Sequence, residues 1–219
     1  MSNNYKKVKI IGAGGFAMEL AEYIEDNNRH LGEKILIEGF FDFDDKSYSE
    51  NEFNAPFLGS EKDYDFTNDD NVLIAIGDLE IRNKVIDYLE NTTVSIVSFI
   101  HHSSIVASSS NIGKGTIICP FCIVGGMAVL GDYNLINYQC AIPHNCEVDD
   151  RNVFSPNVQL TGYTKVGSNN FFGVSTGTMP SIVIGNNNKV QAGLLVTKNI
   201  ANNSIVFSMQ KMKTMEMYK

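Results

Sequence analysis

Every sixth residue from Ile100 to Val196 belongs to one chemical class: Ile100, Val106, Ile112, Ile118, Val124, Leu130, Ile136, Ile142, Val148, Phe154, Leu160, Val166, Phe172, Thr178, Ile184, Val190 and Val196. Only Thr178 is polar, in a chain whose 43% hydrophobic content would break such a column within a few steps by chance. A helix spaces apolar residues three and four apart and an ordinary strand spaces them two apart, so a strict interval of six fits neither. It fits a short strand followed by a corner, with three units closing a triangular coil of eighteen residues that stacks on its neighbours as a solenoid. Glycine often follows the apolar position (Gly113, Gly125, Gly131, Gly167, Gly173, Gly185), where it is expected to supply the backbone angles of a corner. The fourth position after the apolar one holds small or short polar residues, including Thr116, Cys122, Ala128, Cys140 and Cys146. Coil stacking then predicts that Asn134, Asn152, Asn170 and Asn188 lie above one another and hydrogen-bond along the axis.

The first hundred residues follow another pattern. Buried strands are expected over 7–11, 35–41, 71–76 and 94–99, with helices over 16–27 and 79–89, the first helix presenting Met18, Leu20, Ala21 and Ile24 to the core. Alternating strands and helices predict a small parallel sheet. The chain thus divides into an α/β, Rossmann-like domain over 1–99 and a solenoid over 100–219, ending in a short C-terminal helix that carries Met209, Met212 and Met215 on one side. Between the first strand and helix lies Gly12-Ala13-Gly14-Gly15, where free N–H groups and the helix dipole can accept a phosphate. The turn lacks the third glycine of a dinucleotide fingerprint, and the domain is too short for both halves of such a site, so a single nucleotide fits better. Asp42 and Asp44, after the second strand, are placed to accept hydrogen bonds from a ribose or base.

Charge is unevenly distributed. Residues 1–100 carry 20 acidic and 9 basic side chains (−11), and residues 101–219 carry 5 and 8 (+3), giving the net −8. The acidic first half argues against nucleic acid as a partner. No apolar segment is long enough to span a bilayer and the start lacks a secretory pattern, so no membrane insertion and a cytoplasmic location are expected. Lys165, Lys189 and Lys198 in the basic half are candidates to meet a phosphorylated cofactor. Cys119 and Cys122 form C-x-x-C, but Cys122, Cys140 and Cys146 occupy the small-residue column, which favours packed, reduced thiols. Of the four histidines, His30 is expected in a solvated loop, and His101 and His102 at the solenoid's start as boundary residues. His144 stands out because Gly126 and Gly162 lie one coil below and above it, leaving open space for a substrate. A metal-dependent carbonic anhydrase on such a scaffold would need three histidines brought together across a subunit boundary, and His101 and His102 lie far from His144 along the solenoid, so no metal is expected.

The units IGKGTI, VGSNNF and IGNNNK resemble those of the hexapeptide-repeat acyltransferases, whose solenoid is a left-handed parallel β-helix. Together with IIGAGGF at 10–16, GFFDFD at 39–44, AIGD at 75–78 and the stretch around His144, they make the chain similar to acetyltransferases of nucleotide-linked amino sugars and to sialic-acid O-acetyltransferases. The resemblance implies a left-handed coil, against the usual right-handed rule, and acetyl-CoA as acyl donor. It implies an acceptor that is a nucleotide-linked 4-amino-4,6-dideoxy sugar destined for a surface polysaccharide or glycan, and a homotrimer with its active site between subunits. His144 would be the general base, with Asn145 standing where the family commonly has an acid. An amide can orient an imidazole but cannot stabilise its cation as a carboxylate does, so Glu147, Asp149 or Asp150 are candidates to substitute. Gly77 and Asp78 would join Gly12, Gly14, Gly15, Asp42 and Asp44 in holding the nucleotide sugar. Gly162, Val174 and Ala192 would line the pantetheine arm, with the Gly162 N–H as oxyanion acceptor. Alternatives are O-acetylation of a sialic acid, or a solenoid without catalysis.

Overall fold

A computed structural model describes residues 5–209. Four parallel strands, β1 (Tyr5–Ile11), β2 (Lys34–Phe41), β3 (Asn71–Ile74) and β4 (Ser95–Ile96), form a sheet in the order β2-β1-β3-β4. Helices α1 (Gly15–His30) and α3 (Leu79–Leu89) cover its two faces, and the single turn α2 (Lys46–Ser49) follows β2. The α1 stripe is Ala17, Leu20, Ile24 and Asn27, whereas Met18 is 43% exposed, a one-residue rotation from the expected face. Beyond Ile96 the chain leaves the sheet, and Phe99–Ile100 already pairs with Ile117–Ile118 as the first rung of the solenoid. The expected strand over 94–99 is therefore split between the two domains.

From there the chain winds through three parallel faces. The first carries Phe99–Ile100, Ile117–Ile118, Leu135–Ile136, Val153–Phe154, Phe171–Phe172, Lys189–Val190 and Ile205–Val206. The second runs from Ile105–Val106 through Ile123–Val124 and Ala141–Ile142 to Gly177–Thr178 and Leu195–Val196, bridged by Gln159. The third holds Asn111–Ile112, Val129–Leu130, Glu147–Val148, Lys165–Val166 and Val183–Ile184. The six-residue column is buried from Ile118 to Val196, with the Phe154 and Phe172 rings stacked at 4.7 Å. Ile100 is 38% exposed because no coil lies beneath the first one.

The glycines behave differently from expectation. Left-handed corner angles fall two residues later, at Phe121, Met127, Tyr133, Gln139, Asn145 and their successors, with φ near +60°. Gly125 and Gly173 instead permit close stacking: a Cβ on Gly125 would lie 2.5 Å from the His144 nitrogen, and one on Gly173 would lie 2.8 Å from the Ala192 Cα. The asparagine ladder forms as expected. Asn152, Asn170 and Asn188 each donate their N–H to the side-chain oxygen of the asparagine one coil below, at 2.9, 2.8 and 2.9 Å.

The α/β domain docks on the first face. Ile117, Cys119, Leu135 and Val153 enter the core cluster that contains the α1 stripe. At the rim, Arg151 bonds Asp87 and Glu90 at 2.6 and 2.7 Å, and Asn83 bonds Asn169 at 3.0 Å.

Candidate active site

His144 sits on the corner between the second and third faces, delivered by the strand Ala141–Ile142 and exposed to solvent. Its Nδ1 lies 3.1 Å from Asn145 Oδ1. That oxygen can only accept, so Nδ1 carries the proton and the Nε2 lone pair is left free to take one. Asn145 reaches this position because it occupies the left-handed corner (φ 58°), a conformation that asparagine tolerates better than most residues. Tyr163 meets the imidazole edge-on, 5.2 Å between centroids. Of the two flanking glycines, only Gly162 borders the ring. A Cβ there would lie 2.7 Å from His144 Cε1 and 2.8 Å from Nε2, whereas one on Gly126 would meet Ser109. No carboxylate among the described residues pairs with His144: Glu147 binds Lys165 at 2.9 Å, and Asp150 accepts the Asp132 N–H at 2.7 Å.

In the α/β domain the glycine turn is open at Gly14 and Gly15, where an added Cβ would meet nothing within 4 Å, as at Gly77. The first turn of α1 has neither an acid nor a side-chain cap; the Ala17 and Met18 N–H groups bond the Gly14 carbonyl at 2.9 and 3.1 Å, which leaves those of Gly15 and Phe16 to meet an anion. Gly12 has a separate duty. With φ 103° it lets the turn pass the Ala75 carbonyl, which a Cβ would approach to 2.7 Å. The three expected acids each hold local backbone. Asp42 accepts the N–H groups of Ala13 and Phe43 at 2.8 and 2.7 Å, and Asp44 accepts that of Lys46 at 3.0 Å. Asp78 caps α3 through the N–H groups of Glu80 and Ile81, both at 2.9 Å. Two residues at this mouth were not anticipated. Phe43 is 88% exposed, and Asn51 donates to the Ala13 carbonyl at 3.3 Å. An apolar ring inside the acidic run Asp42–Asp45 was the signal available for Phe43.

Other expected residues are dispersed. Val174 and Ala192 are exposed one coil apart on the corner between the first and second faces, while Gly162 lies on the next corner with His144. Lys165 and Lys189 are committed to Glu147 and Glu80 at 2.9 and 2.8 Å, so neither stands ready for a phosphate. All four cysteines are buried free thiols. Burial pushes Cys119 up, as suits a packing residue. Of the methionine stripe only Met209 lies within the described residues, and it is exposed; Met212, Met215 and the expected C-terminal helix lie outside them. His30 is solvated as expected, though at the end of α1 rather than in a loop, and His101 and His102 stand at the solenoid's start; all three gather around Asp26. Most consequentially, the glycine turn belongs to the domain on the first face, and His144 occupies the corner opposite that face. Within one chain the two halves of the expected site are apart.

Residues 7–89 match the family model described as the PglD N-terminal domain. A curated relative, the GDP-perosamine N-acetyltransferase of Escherichia coli O157:H7, is 27% identical over 100 residues, a match covering 46% of this chain and 45% of that protein. The chain thus spans under half the length of that curated relative. Among solved structures, PerB from Caulobacter crescentus, in complex with CoA and GDP-perosamine, superimposes with a TM-score of 0.80 and 25% identity over 91% of this chain and 92% of that one. The acetyltransferase domain of PglB from Neisseria gonorrhoeae FA1090 follows with a TM-score of 0.76 and 21% identity, over 89% and 93%. The chain therefore has the hexapeptide-repeat acetyltransferase fold, a PglD-type α/β domain ahead of a left-handed β-helix.

Proposed function

We propose that this protein transfers the acetyl group of acetyl-CoA to the amine of a nucleotide-linked 4-amino-4,6-dideoxy sugar, within the cytoplasm and for a surface polysaccharide or glycan. The observation that carries the reading is the His144–Asn145 pair, which presents an unprotonated Nε2 at an exposed corner beside Gly162. The curated relative's name and the PerB complex, which holds CoA and GDP-perosamine, support the donor and acceptor classes. A PglB domain solved with acetyl coenzyme A supports the donor as well. No helix of the described residues is long and apolar enough to cross a membrane.

The sugar amine attacks the thioester carbonyl as His144 Nε2 removes its proton. The Gly162 N–H receives the charge that develops on the carbonyl oxygen. Collapse expels the CoA thiolate, which takes a proton back from the imidazolium. A positioned base of this kind contributes roughly 10²–10⁴-fold. Asn145 fixes the tautomer without lending negative charge, so it supplies orientation rather than basicity.

The opposite placement of the glycine turn and His144 supports a homotrimer in which one copy's nucleotide meets a neighbour's imidazole. Exposed apolar side chains on the second and third faces and their shared corner, among them Ile105, Ile123, Met127, Val129 and Tyr163, fit such packing. The test is incubation with acetyl-CoA and UDP-, GDP- or dTDP-linked 4-amino sugars, following amide formation and free thiol. His144→Ala is expected to lose at least about a hundredfold in kcat while sedimenting like the wild type. Wild-type rates in that variant would remove the proposed base. Asn145→Asp is expected to match or exceed the wild type at neutral pH.

A further inference from the structure

Three of the chain's four histidines converge on one carboxylate, far from His144. Asp26 and His30 lie one turn apart at the end of α1, and His102 reaches them from the segment that opens the first coil. His102 Nε2 is 2.7 Å from Asp26 Oδ2, and His30 Nδ1 is 3.5 Å from Oδ1. The donor atoms of Asp26, His30 and His102 all fall within 4.8 Å of one another, the one such trio among the described residues. The His30 and His102 rings stack at 4.1 Å.

Behind them stands His101, 3% exposed. Ser103 Oγ accepts the Phe121 N–H at 3.0 Å, so its own proton points to His101 Nδ1 at 2.8 Å. The Ser103 N–H also reaches that Nδ1, at 3.3 Å. The remaining proton is therefore on Nε2, which lies 3.3 Å from Asp26 Oδ2 yet makes no well-formed hydrogen bond there. A buried imidazole aimed at a carboxylate, with no aligned acceptor, marks a cluster that is incomplete as it stands.

We propose that Asp26, His30 and His102 form a binding site for a borderline divalent transition cation of the zinc class, with the buried His101 standing 3.3 Å behind Asp26. Imidazole and carboxylate donors are the set such a cation selects, and donor atoms 2.7–3.5 Å apart lie near the roughly 3.4 Å separation of ligands held at about 2.0–2.2 Å around a tetrahedral centre, once the stacked rings turn to aim both nitrogens at one point. The two Asp26 oxygens already gather donors, His102 Nε2 at 2.7 Å and Arg29 at 3.0 Å. His30 lies at the surface, which gives the cation an entry path and leaves a coordination position for water. Binding requires the tautomers that free His102 Nε2 and His30 Nδ1, each proton moving to the ring's other nitrogen and leaving its present contact with Asp26. The cation would clamp the end of α1 to the first coil, beside the contacts Asn27 already makes with Ile100 and His102 at 3.0 and 2.8 Å. This proposal is independent of the acyl-transfer reading.

The experiment uses the full chain, stripped with chelator and titrated with Zn²⁺, with Mg²⁺ as control, by calorimetry and thermal melting. One Zn²⁺ per chain is expected, with Tm rising by about 5 °C at a hundredfold excess over Kd, and Co²⁺ in its place should give visible absorption of a low-coordinate site. His30→Gln, at a surface position where folding is not at issue, should weaken binding at least about tenfold, as should His102→Ala, while His144→Ala should bind normally. Absence of a Zn²⁺-dependent shift, a shift that Mg²⁺ reproduces, or undiminished binding in both His30→Gln and His102→Ala would overturn the proposal.

Discussion

The two domains solve the burial of polar groups by different chemistry. In the α/β domain, which carries the chain's acidic excess, charged side chains are buried, among them Arg82, 1% exposed on α3 and donating to the Ile74 carbonyl, and Lys9, paired with Asp70 at 2.5 Å and Glu38 at 2.9 Å. In the solenoid the buried polar residues include no Lys, Arg, Asp or Glu: they are Thr116, Asn134, Asn152, Thr164, Asn170, Thr176, Thr178 and Asn188, with His101 in the first coil. A repeating coil offers the same vacant acceptor at every level, so a short amide satisfies it without a partner of opposite charge. A sheet covered by helices has no such repetition, and its buried cations are met singly, Lys9 by two carboxylates and Arg82 by a backbone carbonyl.

Acid should separate the domains most strongly. Burial pushes the Asp70 carboxyl up, but the Lys9 ammonium and bonds from Thr67 outweigh it and hold the group below the usual carboxylate range. A carboxyl whose pKa is lowered by folding contributes stability above its unfolded pKa, and that contribution is lost as pH falls through the folded value. Lys9 is raised: burial lowers it, but its two carboxylates more than compensate. Its contribution is accordingly lost only in strong alkali. Asp70→Ala should cost about 3 kcal/mol at pH 7, at the low end for a buried pair because Glu38 remains, and much less at pH 2. Phe154→Ala, which empties the stacked centre of the solenoid, should cost about 3–5 kcal/mol, with little change between the two pH values. Denaturant melts of both variants check this, and equal pH dependence would erase the distinction.

The ladder gives the next largest effect. Asn152 Oδ1 receives the Asn170 N–H and side-chain amide at 2.8 and 3.0 Å, so Asn152→Ala strands buried donors and should cost about 1–3 kcal/mol. Hydrogen exchange should quicken at Asn170 while the α/β sheet stays protected. Asp78→Ala should act least and only on the other side, costing about 1 kcal/mol as the cap of α3 is lost. If Asp78 also holds the nucleotide, the apparent KM for the sugar nucleotide will rise beyond what that destabilisation explains.

Much of this was legible in the residues, and the failures share a cause. The extent of α3, the interior column and the asparagine ladder follow from periodicity, because each repeats a local rule. The repeat's glycines were placed correctly but misread, since close stacking and positive φ both call for glycine and only the corner angles distinguish them. For Asp42, Asp44 and Asp78, expected to hold a substrate, sequence does not show the backbone N–H groups that they also accept. The Asp26 cluster was invisible for a simpler reason: His102 lies 76 residues from its carboxylate partner.

The amino-acid order alone determined the period of six, hence a three-sided coil, and the strand–turn–helix that opens the chain. These are set by spacing along the backbone, which a sequence states directly. Tertiary structure decided what meets across that spacing: which face of the prism the α/β domain covers, which corner is left to His144, and which histidines share Asp26. Such contacts depend on the sum of many small rotations between coils and on the fit of two surfaces, and neither is written in any one stretch of residues.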